Sequence, residues 1–152
     1  MASGPFIIPD KAKLNIASPT GLLDPAKTFK LTLHTSVMAP APATMEVYAD
    51  LTNELATANG YTVGGLALTG VTLAQAAGVV KFTSAAAVFT AAGGSIPAWR
   101  YGVVRAVGTF NGKIDPIVAY FLGDSTPADI PPTTAGNTLT VTPNAAGMLT
   151  VS

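Results

Sequence analysis

Residues 98–122 read AWRYGVVRAVGTFNGKIDPIVAYFL, two apolar, β-rich runs joined across Asn111-Gly112. Asn-Gly is the dipeptide best suited to the positive φ angles of a two-residue hairpin turn, so the stretch predicts two long antiparallel strands at the centre of a β protein. Trp99, Tyr101 and Val103 share one face of the first strand, and Arg100, Gly102 and Val104 share the other. Apolar groups on both faces place this strand between two layers or against a partner subunit. The return run, 117–122, is continuously apolar after Pro116, the pattern of a strand covered on both sides.

Working outward, KTFKLTLHTS (27–36) alternates apolar and polar residues with a period of two, a half-buried strand with His34 on its wet side. His34, the only histidine, is therefore expected at the surface. Residues 61–75 mix β-formers with Gly64-Gly65 and Gly70, a strand with a bulge or bend, and 79–83 and 87–90 read as short strands before a turn at 91–94. TLTVT and MLTVS, on either side of PNAAG, predict a second hairpin with Leu139, Val141, Leu149 and Val151 as its buried row.

Met45, Tyr48, Leu51 and Leu55 recur near helical spacing, with Thr44 placed to cap the start and Asn59-Gly60 to end the run. This predicts the one short helix, with Asp50 and Glu54 as solvated charges a turn apart. Residues 1–26 carry Pro5, Pro9, Pro19 and Pro25 around two apolar patches, Phe6-Ile7-Ile8 and Leu22-Leu23, and predict an extended arm lying on another surface. The expected architecture is all-β: a single-domain antiparallel β-sandwich or jelly-roll-like barrel of about eight strands at 27–152, one short helix, and an N-terminal arm at 1–26.

At 152 residues the chain fits one domain. Charged residues make up 11% of it, against roughly 25% in a typical soluble domain, and the formal net charge is zero. Little electrostatic repulsion keeps such a chain apart from its neighbours, so further burial in subunit contacts is expected. There is no cysteine, which excludes disulfides and thiolate metal sites. The uncharged stretch 60–80 is broken by threonines and glycines and reads as β structure, not a membrane helix, and MASGPFIIPDK lacks the pattern of a secretory signal.

No serine sits in GxSxG, no glycine run leads into Gly-Lys-Ser/Thr, and the lone histidine has no ligand cluster, so no catalytic, cofactor or metal residue is assigned and an enzyme is not expected. Arg100 and Arg105, the only arginines, make no basic stripe for nucleic acid and are expected to pair with carboxylates within or between subunits. The candidate interface residues are Phe6, Ile7, Ile8, Trp99, Arg100 and Arg105.

The motifs TFKLTLHTS, DLTNELATANGYTVGGLALTGVTL, WRYGVVR, DPIVAYFLGD and TPNAAGMLTVS, taken in this order over 28–152, resemble a group of small structural proteins of tailed bacteriophages. The resemblance implies a virion component without cofactors, most simply a capsid decoration or cement protein on the outer capsid surface. Its implied partners are the major capsid protein and copies of itself, with a trimer favoured, and neither nucleic acid nor membrane. A tail or host-adhesion component, binding receptor through loops such as 40–42 and 124–136, is the rival. Residues 1–26 fall outside the resemblance.

Overall fold

In a computed structural model that describes residues 3–18, 21–124, 126 and 128–151, the chain forms one α-helix and eleven strands. These are α1 (Asp10–Ala17), β1 (Phe29–His34), β2 (Leu66–Ala67), β3 (Thr72–Ala76), β4 (Val79–Thr83), β5 (Ala87–Thr90), β6 (Tyr101–Ala106), β7 (Thr109–Phe110), β8 (Lys113–Ile114), β9 (Ile117–Leu122), β10 (Thr138–Val141) and β11 (Leu149–Val151). The protein is mostly β and antiparallel, consistent with a single sandwich-like domain.

The central hairpin forms as the Asn-Gly signal predicts. Asn111 and Gly112 take φ values of 48° and 74°, the left-handed pair that such a turn requires. β6 and β9 pair antiparallel from Tyr101↔Leu122 to Arg105↔Ile117, with a register shift between Val104 and Arg105. Beyond that bulge the ladder gives way to the short ribbon β7–β8 that carries the turn. β1 lies on the other side of β6, Phe29↔Ala106 through His34↔Tyr101, and the sheet order is β2-β1-β6-β9.

Both faces of this sheet are covered by the chain itself. On one side Phe29, Leu31, Leu33, Val104, Ala119 and Phe121 enter the main core, facing a second layer made of β5–β10 and β11-β4-β3. Phe29 meets Phe82 of β4 edge-on at 5.0 Å, and Tyr61 stacks on Phe89 of β5 at 5.7 Å. Each such buried side chain contributes about 1.5–3 kcal/mol of burial. On the other side Val103, Ile117 and Tyr120 pack with Met38 and Met45 in a smaller core. The segment that carries these methionines crosses the sheet from edge to edge. Ile117 N–H donates to Glu46 O and Tyr48 N–H to Asp115 O along β9, and Leu55 N–H donates to Leu33 O along β1.

That crossing corrects the helix expected near 45–55. Only a single 3₁₀ turn forms there, Tyr48–Asp50. The Asp50 carboxylate accepts from Glu46 and Val47 N–H, and Asn53 has φ 55°. The backbone spends its donors on the two sheet edges, which outweigh a weak helical period. The one α-helix lies instead within the predicted arm: Pro9 O accepts from Lys13 N–H at its start, and Asp10 sits in the favourable first turn. Before it, Ile7 exchanges backbone hydrogen bonds with Tyr120 at 2.7 and 2.9 Å, and Gly4 N–H donates to Leu122 O. Phe6 packs on Phe121 at 4.6 Å, so these residues lie against the outer edge of β9 in their own domain.

The predicted C-terminal hairpin does not form. β10 pairs with β5 and β11 with β4, so the two run in the same direction as successive partners of the bent β4–β5 segment. PNAAG is a bend, closed by Gly147 N–H to Asn144 O and Ala146 N–H to Asn144 Oδ1. Leu139, Val141 and Leu149 are buried as expected, and the Val151 side chain lies outside the described residues. Strands 79–83 and 87–90 stand at their predicted bounds.

Candidate functional site

The densest polar constellation is built on Glu54, Tyr48, Tyr61, Arg105 and Asp115. Glu54 Oε1 accepts from Tyr61 OH at 2.6 Å and Gly64 N–H at 2.7 Å, and Oε2 accepts from Tyr48 OH. Tyr61 OH in turn accepts from Leu33 N–H of β1 at 3.0 Å. Arg105, 5% exposed, donates to Asp115 Oδ2 at 2.7 Å and Gly64 O at 2.9 Å, and its guanidinium lies 4.1 Å from the Tyr48 ring centroid. Burial first, then the hydrogen bond to Glu54, pushes the Tyr48 hydroxyl up to about 12. The same causes hold Tyr61 well above the ordinary tyrosine range. Both phenols are thus fixed hydrogen-bond donors at neutral pH, and the carboxylate that accepts from them is committed. The arrangement clasps residues 48–64 to β1 and β6.

Glu54 is therefore a half-buried hub that accepts from three donors rather than a solvated helix charge. The signal that could have found it is Gly64-Gly65. Gly64 supplies both a donor to Glu54 and an acceptor to Arg105, and a Cβ on Gly65 would fall 2.2 Å from Leu31 O. His34 is corrected too: it is 0% exposed, with Nδ1 donating to Thr52 O at 2.9 Å and Nε2 2.9 Å from Thr32 Oγ1. Strand β1 has no wet face here because residues 52–55 lie along its edge. Desolvation lowers the His34 pKa below 6.5, against smaller raising effects of Thr52 O and Glu54.

The six candidate interface residues separate into two groups. Trp99 is 1% exposed, bracketed by backbone bonds to Ile130 and edge-on to Phe121, and Arg105 is internal, so neither offers its side chain to a partner. Arg100, on the rim, pairs through Nε with Asp129 Oδ1 at 2.8 Å. Both arginines thus make intramolecular carboxylate pairs. Phe6 and Ile8 are half-buried, and Ile7 is 41% exposed. Ile8, Leu149 and Thr150 line two adjoining grooves, one of about 240 Å³ with Pro5, Phe6 and Met148, the other of about 400 Å³ with Lys13, Ile16 and Ala17. Lys13 is occupied by Asp10 at 2.8 Å. The groove between Ile8, α1 and β11 is concave and largely apolar, whereas the one beside Pro5, Phe6 and Met148 is of mixed character, with Asn144 and Thr150 in its lining.

Among the described residues, no group of three His, Cys, Asp or Glu side chains is placed to hold a metal ion, and no helix is long and apolar enough to cross a membrane. Compared with protein-family models, curated proteins and solved structures, the chain gives no significant match.

Proposed function

We propose that the protein is a virion structural component of a tailed bacteriophage, a decoration protein that binds the outer capsid surface and stabilises the head. The observation that carries this reading is the apolar concave surface beside α1 and β11, on a chain of net charge zero. It is joined by the resemblance of residues 28–152 to such proteins. The partners are the major capsid protein and further copies of the chain. Burial of modest apolar area at each of many symmetry-related sites would add up to full occupancy, with no cofactor and no turnover.

Quantitative mass spectrometry of purified virions, scaled to the major capsid protein, tests it. Copy numbers comparable with capsid subunits are expected. A handful of copies per particle would move the protein to the tail or to an adhesion role. Substituting Ile8 or Ile16 by Lys should then lower occupancy without unfolding the domain.

A further inference from the structure

β3 ends its sheet, with β4 on one side, and all five of its residues are exposed. Among the described residues, no backbone group outside β4 bonds to it. Natural sheets blunt such an edge with charge, proline, a bulge or a covering segment. Here, residues 55–80 contain no charged residue and no proline. The nearest cation, Lys81, donates its ammonium to Ala145 O, toward the C-terminal bend and away from this edge. The β9 edge of the central sheet is treated differently: residues 46–48 and 4–7 cover it. The β3–β4 turn, Ala77 and Gly78 at φ 50° and 83°, holds the hairpin in shape, so the edge is preformed.

We propose that β3 is an assembly edge at which two copies of the chain pair strand to strand about a two-fold axis. A second copy is the occupant that the chemistry favours, because an uncharged strand meets itself with no like charges opposed. Leu73, which faces the core side opposite Phe82 yet is 41% exposed, gains cover from the mate. An axis perpendicular to the sheet keeps both core sides together, and full overlap of 72–76 sets Ala74 opposite its own copy, Leu73 opposite Gln75 and Thr72 opposite Ala76. The small residues Thr72, Ala74 and Ala76 share the outer face, and the sheet β11-β4-β3 continues into that of the mate. A two-fold contact closes after two copies, so the unit is a dimer where the resemblance alone implied a trimer. Five paired residues bury far less than the roughly 1,600 Å² of a standard interface, so pairing is weak in dilute protein and strengthens where copies are crowded. The inference does not depend on the capsid assignment.

Because the chain has no cysteine, single-cysteine variants give a clean readout. Under mild oxidation of concentrated protein, Ala74→Cys should form a disulfide-linked dimer on the order of tenfold faster than Val88→Cys, an exposed position on β5, since directly opposed Cβ atoms lie near disulfide distance. Thr72→Cys and Ala76→Cys should crosslink when mixed and not singly. In the unmodified protein, amide exchange within 72–76 should slow as concentration rises. Equal crosslinking of A74C and V88C, or exchange independent of concentration, would overturn the proposal. So would protection that arises only on adding capsids, which would assign the edge to a different chain.

Discussion

Replacing Glu54 by Ala distinguishes a solvated charge from a structural hub. The substitution removes one carboxylate that accepts from three donors: Tyr48 OH, Tyr61 OH and Gly64 N–H. Tyr61 is 1% exposed, so its hydroxyl loses its acceptor in a site that water enters poorly. Each hydrogen bond to a charged group is worth about 1.5–3 kcal/mol. The Tyr48 side of the carboxylate is only part-buried, and water replaces that bond at little cost. Counting the two inner bonds and discounting for relaxation gives a loss of about 2–4 kcal/mol. In a chain of this length that lowers Tm by roughly 5–15 °C. Glu54→Gln keeps one carbonyl acceptor for Tyr61 and Gly64 but turns an amide toward Tyr48, so about half of that loss is expected.

Urea denaturation with tryptophan fluorescence measures both variants, because Trp99 is buried in the core. Tyr61→Phe closes a double-mutant cycle with Glu54→Ala, and a coupling of about 1 kcal/mol or more is expected for groups in one network. A Glu54→Ala loss below about 0.5 kcal/mol, the range of an ordinary surface substitution, would refute the hub.

Other perturbations probe the packing around it. A Cβ on Gly102 would lie 2.2 Å from the ring of Phe121, itself fully buried between Phe6 and Trp99, so Gly102→Ala should cost about 1–3 kcal/mol by overpacking, read by thermal denaturation; an unchanged Tm would show that the ring yields freely. Deleting residues 1–9 removes the Ile7–Tyr120 backbone pair and the Phe6–Phe121 contact and should destabilise the fold by about 2–4 kcal/mol, whereas a free arm would be lost without effect. His34 is held below its ordinary pKa of 6.5, so the unfolded chain binds its proton more readily. That stability is complete above the unfolded pKa and drains away as pH falls through the folded one. Between about pH 7 and pH 5, above the usual carboxylate range, the denaturation midpoint should fall, and His34→Gln should flatten the slope; parallel slopes would remove His34 from the acid response.

What the sequence made legible follows from how local each signal is. The hairpin at 98–122 was readable because the turn chemistry of Asn111-Gly112 and the two apolar runs lie in one window and agree. The same logic misled at the C-terminus. The runs 138–142 and 148–152 are adjacent and alternating, yet their partners are β5 and β4, some fifty or more residues upstream, and alternation names a face without naming a neighbour. The helix was misplaced for a related reason. Pro9 and Pro19 bracket α1 as start and stop marks, but four prolines in one segment read as breakers throughout. At 45–55 the helical period was real, and what overrode it was the demand of two sheet edges for backbone partners.

The site shows the sharper limit. Arg105 pairing with a carboxylate could be argued from its scarcity, and Asp115 meets it at 2.7 Å. Its burial could not be argued, because it depends on residues 48–64 folding back over β6. His34 and Glu54 failed together for that one reason. A period-two pattern assigns a polar face to solvent only if nothing crosses it, and here the crossing segment brings Glu54 and Thr52 O with it. Those polar residues are compatible with burial because the covering segment supplies their partners. Arg105 and His34 are buried and Glu54 half-buried with three donors on its carboxylate, while residues 55–80, which include the edge strand β3, carry no charge at all.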